Sequence, residues 1–452
     1  MTPQRTTAEH RRLAEATGRA EDDLFSANPW YEWGPYLSER AWGTVREDYS
    51  EGGDAWASFP HDHARSRAYR WNEDGMAGIS DIRHELCLAL ALWNGRDPIL
   101  KERMFGLTGP QGNHGEDVKE YWWYLEGLPS HALLRWRYHY PRAAFPYAQL
   151  VDHRRGLQDP ELELLDTGVF DDDRYWAVDV TYAKASPTEI LQRIVLTNHG
   201  ADEATLHVLP TLWFRNTWSW GGAETPPRIE RDGPDLVVAD HALAGYRLQA
   251  APGPDGSPPE TLFCENETNT ARVFGTEALT PFPKDGINDH VVSGLPTVNP
   301  EGYGTKAAFH YAVTVAGGAS TELRLVLHRR EGKAGPKRAP KSWAGDRFDK
   351  ALAAREADAD EFYAALAPPE TTPEAMQVLR HSEALFRTTR ANFCLVAVAF
   401  TRGGLGCDLL TYRACPLEPA TRNRAFEILC VPNTSHPNHH QKSKTASPRL
   451  GL

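Results

Sequence analysis

Between Trp33 and Asp74 the chain gathers eight aromatic side chains, five arginines and eight carboxylates, and its only large aliphatics there are Leu37 and Val45. A core strand would have the opposite composition. Aromatic rings stack on C–H faces, while Arg and Asp bind hydroxyl groups in bidentate fashion, so this mixture suits a sugar. It also suits a half-exposed, loop-rich surface locked by ion pairs, and composition alone leaves both readings open. Within the stretch, His61-Asp62-His63 would place two imidazoles on one face if extended, a spacing that zinc or copper sites use. No third ligand stands at a readable spacing, so hydrogen-bonded histidines are expected, with no metal and no cofactor.

Carboxylate pairs recur: Glu47 with Asp48, Glu73 with Asp74, Glu116 with Asp117, and the run Asp171 to Asp173. Glycoside hydrolysis needs two carboxyl groups across the bond, roughly 6.5–9.5 Å apart for inversion and about 5 Å for retention. Neighbours on a strand point to opposite faces, so no adjacent pair is itself such a dyad. The segment Gly112 to Asp117 lacks the Gly-Lys-Ser/Thr ending of a phosphate loop and reads as a tight turn.

The elements around these residues read as strands. Leu86 to Trp93 is a continuous apolar run of strand length, and Leu134, Trp136 and Tyr138 alternate with Arg135, Arg137 and His139. Further runs are Trp176 to Tyr182, Ile190 to Leu196, Leu206 to Leu212, Leu236 to Val238, Tyr246 to Leu248, Thr261 to Cys264, Arg272 to Phe274, Ala308 to Val315 and Leu323 to Leu327. Turn clusters at Asn198-His199-Gly200, Pro252 to Pro259 and Gly317-Gly318 separate them. Many short strands with such punctuation predict an all-β sandwich. In front of it, residues 4 to 23 read as an amphipathic helix, and Asn28-Pro29 breaks the pattern. Gly34-Pro35 and Gly52-Gly53 predict loops and short strands in the aromatic stretch.

With 452 residues, 41% of them hydrophobic, the chain has enough material for two or three domains and at least one large core. Its formal charge of −12 argues against a nucleic-acid partner. The charged first residues lack the apolar run of a signal peptide, and the longest apolar runs are too short to cross a bilayer, so a cytoplasmic protein without a membrane partner is expected. Cys87 and Cys264 are isolated, with no metal-ligand spacing.

The segments WGPYLSERAWGTVREDYS, FPHDHARSRAYRWNEDGMAGISD, LCLALALWNGRDPILKERMFGLTGPQGNHGEDVKEYWWYLEGLPSH, LLDTGVFDDDRYW and LPTLWFRNTWSWGG resemble, in order, the amino-terminal half of bacterial glycoside hydrolase family 63 proteins. These are α-glucosidases related to the processing glucosidase of mannosyl-oligosaccharides. The resemblance runs to about residue 380. It implies a large β-sandwich (supersandwich) domain over residues 1–330, then linker helices, with the catalytic acid and base on an (α/α)6 barrel that the resemblance does not reach. By this resemblance the chain is part of an inverting α-glucosidase acting on oligosaccharides with terminal α-glucose, itself catalytically incomplete, and no catalytic residue is assigned. A separate helical catalytic chain is a possible partner. Arg40, Trp42, Arg46, Asp48, His63, Arg65 and Trp71 are the candidates to face substrate from the sandwich side, or else to form an interdomain seam. The alternative is a carbohydrate-binding or interaction module without hydrolase activity.

Residues 331–345, in a basic Pro/Gly/Ala-rich stretch, read as a linker and 346–390 as a helical segment, with Pro373 near the first turn of its second helix. Residues 391–452 change character: thirteen of the fourteen tryptophans precede the linker and none follows it, while four of the six cysteines fall in this tail. With seven Lys or Arg against three Asp or Glu and no sustained period, it predicts unrelated, disordered sequence from a frameshift or fusion. His436, His439, His440 and Cys430 fit no zinc-finger spacing.

Overall fold

A computed structural model describes residues 6–15, 28–45, 58–70, 72–107, 118–152, 158–220, 225–239, 241–329 and 345–382. The chain is mainly β. Its strands are β1 (Trp33–Gly34), β2 (Met76–Asp81), β3 (Leu86–Trp93), β4 (Trp122–Gly127), β5 (Leu133–Pro141), β6 (Tyr175–Ser186), β7 (Glu189–Asn198) and β8 (Ala204–Phe214). They continue as β9 (Arg228–Asp232), β10 (Asp235–Ala239), β11 (Tyr246–Ala250), β12 (Glu260–Cys264), β13 (Tyr303–Gly304), β14 (Lys306–Val315) and β15 (Ser320–Arg329). They form two antiparallel sheets, one in the order β1-β2-β3-β8-β14-β12 and the other β13-β9-β10-β11-β15-β7-β6-β5-β4.

Period-two burial explains how the sheets face each other. Leu86, Leu88, Leu90 and Leu92 of β3 lie with Leu206, Val208 and Leu212 of β8 in one core, opposite Trp136, Tyr138 and Tyr140 of β5 and Trp176, Val178 and Val180 of β6. The intervening residues point outward, and on the smaller sheet they are not left to water. Cys87, Ala89 and Trp213 are covered by Leu37. Ala91, Leu209, Leu262 and Ala308 pack with Leu100 and Ile287. A Cβ on Gly78 would come within 2.4 Å of Leu37, so the missing side chain there lets Leu37 and its neighbours lie close on the sheet.

The helix Asp346–Leu366 covers the outer face of the larger sheet. Phe348, Leu352, Phe362 and Tyr363 pack on Leu133, Ala183, Leu191 and Val326, and fully burying side chains of this kind contributes roughly 1.5–3 kcal/mol each. Residues 373–382 are also helical. At the other end of the chain a shorter helix, Ala8–Ala14, begins at a capping box between Thr7 and His10.

Two local expectations are corrected. Arg272 to Phe274 belongs to a helix, Thr270–Phe274: the Asn269 side chain accepts the Arg272 amide, and Gly275 ends the helix in the left-handed conformation. His61 to Ala64 is a helical turn, so the two imidazoles do not share a strand face. Of the helix expected over residues 4 to 23, the described part is helical over Ala8–Ala14; residues 16–23, the segment Gly112 to Asp117, most of the 331–345 linker and the 391–452 tail lie outside the described residues. Among those described, no helix is long and apolar enough to cross a membrane.

Candidate functional site

The Trp33–Asp74 stretch meets two later segments, residues 97–107 and 264–306, on the outer face of the smaller sheet, and the meeting point is Asp74. Its carboxylate accepts the Tyr69 hydroxyl at 2.8 Å, Nε of Arg103 at 3.0 Å and, more loosely, the Trp42 amide at 3.4 Å. Trp42 is itself fully buried and donates its indole N–H to the Met104 carbonyl at 3.2 Å.

Beside this hub stands His61, ringed by Trp42 at 5.5 Å, Phe105 at 5.0 Å and Tyr147, stacked at 5.7 Å. Burial holds its pKa well below the usual imidazole range, and Lys101, Arg103, Arg40 and Arg65 push the same way. It is therefore a neutral ring. His63, two residues on, is half-buried, and its lowered pKa comes from partial burial and Arg67, opposed by Asp62.

A second layer lies under Asp74. Glu73 accepts Asn266 Nδ2 at 2.8 Å, Lys306 pairs with Glu102 and donates to the Lys284 carbonyl at 3.2 Å, and Lys284 Nζ lies 3.7 Å from the Tyr69 ring centroid. Burial raises the Glu73 pKa, with Lys284 pulling it back. Burial likewise lowers Lys284 to about 8 against the pull of Glu73. Burial would also raise Glu102, but Lys306 overrides it and the net shift is downward. These groups enclose a cavity of about 20 Å³, enough for roughly one water molecule. Opposite charges held this way form a rigid polar platform, with no room for a sugar inside it.

The predicted site residues separate accordingly. Trp42 is a structural anchor at the bottom. Arg40, His63 and Arg65 are half-buried above it; the Arg40 guanidinium lies 4.9 Å from the Trp42 ring centroid, and Arg65 pairs with Asp62 at 2.9 Å. Arg46, Asp48 and Trp71 lie outside the described residues. No group of three or more His, Cys, Asp or Glu among the described residues is placed to hold a metal ion.

Sequence reading did not find Tyr69, Arg103, Asn266, Lys284 or Lys306 as site members. The sequence marks Asp74 only as half of a carboxylate pair with Glu73, and the structure gives the two members different partners. A buried Lys at the start of β14 carries no local pattern that would single it out.

No family model matches the chain. It is 38% identical over 397 residues to the uncharacterized protein YMR196W of Saccharomyces cerevisiae, an alignment that covers 78% of this chain and 36% of that protein. The chain thus spans about a third of the curated relative it matches. Among solved structures, a polysaccharide lyase aligns over 56% of this chain and 27% of its own at 10% identity, with a TM-score of 0.25. A putative aldose 1-epimerase of Escherichia coli K12 aligns over 46% of this chain and 68% of its own at 10% identity and a TM-score of 0.22. A galactose mutarotase related enzyme of Lactobacillus acidophilus aligns over 44% and 69% at 6% identity and a TM-score of 0.18. Likenesses this slight carry no argument about chemistry.

Proposed function

We propose that this chain is the sandwich part of an α-glucosidase-type protein, one that contacts oligosaccharide without itself supplying the catalytic acid and base. One observation carries the reading. Segments distant in sequence that carry the family resemblance converge on one face, with Trp42, Tyr69, Asp74 and Arg103 joined by the Asp74 carboxylate. In this reading the buried network fixes the backbone so that Arg40, His63 and Arg65 stand as a semi-rigid polar edge, and hydroxyl groups are bound by such forks. Glu73, Asp74 and Glu102 are spent on internal partners and are not the dyad of a hydrolase.

Incubating the purified chain with a panel of α-glucosyl disaccharides tests this, with the anomer of released glucose followed by NMR. The expected result is no release from a folded protein. Release of β-glucose would place an inverting dyad in this chain and overturn the reading.

In a second reading the same face is a seam for a separate helical chain; Trp42, fully buried by its own chain, is out of reach of a sugar. Addition of glucose-containing oligosaccharides separates the two, because a ligand that binds only the folded state raises the melting temperature by mass action. With a seam that makes no sugar contacts, any such rise is the same in an Arg65→Ala variant.

A further inference from the structure

At one end of the sandwich, four strands from both sheets stop around a common opening. The exits of β3 and β5 and the entries of β6 and β8 surround a cavity of about 440 Å³, within the size range of small-molecule pockets. Its frame is locked. Asn94 donates Nδ2 to the carbonyls of Pro141 and Ala143, both at 2.8 Å, tying the β3 exit to the β5 exit across the two sheets. Arg142 forks onto Asp202 at 3.3 and 3.2 Å and also reaches Asn198, while Arg174 meets the same Asp202 carboxylate at 3.3 Å.

Thr205 and His207 of the lining are bonded to Thr314 and His310, but three charged groups are uncommitted. Arg96 from the β3 exit, Asp171 from the turn before β6 and Glu203 from the turn before β8 are all exposed lining residues. Among the described residues none of the three has a side-chain ion pair or hydrogen bond. Asp172 and Asp173, beside Asp171, both sit at positive φ, 60° and 54°, a backbone conformation that costs energy for non-glycine residues and gathers at ligand sites. The three arginines balance the three carboxylates, so the cavity has no excess charge of either sign to favour an ionic ligand. Small apolar side chains, Val169, Ala143 and Ala204, complete the wall.

We propose that this end cleft is a second binding site, one for a neutral, hydroxyl-rich ligand such as a hexose unit of an oligosaccharide. Arg96 donates to hydroxyl oxygens, Asp171 and Glu203 accept hydroxyl protons, and the apolar wall meets the C–H face. The inference stands independently of the role proposed for the Arg40–Arg65 face, since the two share no residue.

Calorimetric titration of the full chain with glucose and with maltotriose, followed by hydrogen exchange of the complex, tests it. At least one sugar is expected to bind, with slowed exchange over residues 94–96, 168–174 and 202–205. The double variant Arg96→Ala/Glu203→Ala is expected to melt at the wild-type temperature but to bind about tenfold or more weakly, the effect of losing hydrogen bonds to charged groups. Arg65→Ala, whatever it does to sugar contact at the other face, is expected to leave the slowed exchange over residues 94–96, 168–174 and 202–205 unchanged. If neither sugar binds, or the double variant binds as wild type does, the cleft is not such a site. Binding lost in Arg65→Ala and retained in the double variant would overturn the cleft while leaving the other face standing.

Discussion

Arg103 donates its Nε to Oδ1 of Asp74 at 3.0 Å, and both side chains are almost fully shielded from solvent. One comes from the Trp33–Asp74 stretch and the other from the segment that follows β3, so this ion pair joins the aromatic stretch to the sheet beneath it. Removing one partner of a buried pair leaves the other charged and unsolvated.

Asp74→Ala is therefore expected to cost about 3–5 kcal/mol of folding stability, measured by urea unfolding. Arg65→Ala removes an ion pair with the exposed Asp62 and should cost about 1 kcal/mol or less. Equal losses from the two variants would mean that Asp74 is not the hub.

Lys184 buries its ammonium against the carbonyls of Trp30 and Trp33, both at 2.5 Å, and burial lowers its pKa to about 7, with Glu32 and Glu9 opposing. The unfolded chain thus binds more protons than the folded one between about pH 7 and the ordinary lysine value, and stability rises with pH through that window. Lys184→Met should flatten this slope in urea midpoints measured from pH 7 to 9. An unchanged slope would show that Lys184 does not contribute to it.

His84 is pushed down to about 3 by burial, with Arg215 acting in the same direction. Its folded-state pKa lies below the unfolded value, so stability is lost as pH falls from about 6.5 toward 3. His84→Asn keeps a residue type that tolerates the positive φ of 57° at this position and removes the titration. Its melting temperature should fall less steeply than that of the wild type between pH 6.5 and 4.

Gly200 lies where any Cβ would come within 2.0 Å of Arg142 Nη1. Gly200→Ala must move the Arg142 guanidinium, the far end of a flexible side chain, away from the largely exposed Asp202, at an expected cost of about 1 kcal/mol or less, read as a slightly lower urea midpoint. A neutral effect would mean that Arg142 reorients freely and does not frame the end cleft.

The class of fold was legible because it is local. Alternation such as Leu134, Trp136 and Tyr138 against Arg135, Arg137 and His139 records which face of a strand is buried, whatever its partner. Helix Asp346–Leu366 was legible for the same reason. Where local cues were short, they failed: three residues of Arg272 to Phe274 look like a strand until the cap at Asn269 and the glycine at 275 are weighed.

The sequence by itself determined that this is a β-sandwich protein, and that aromatic and charged residues are concentrated between Trp33 and Asp74. Only the tertiary structure decided what that stretch touches. The pairing of Asp74 with Arg103, and of Glu73 with Asn266 beside Lys284 and Lys306, depends on three loops closing over the outer face of one sheet. The end cleft likewise exists only because strands from both sheets stop together. Burial leaves a periodic trace in the chain; convergence of distant charged residues leaves none, since it is set by which strands pair and where they end.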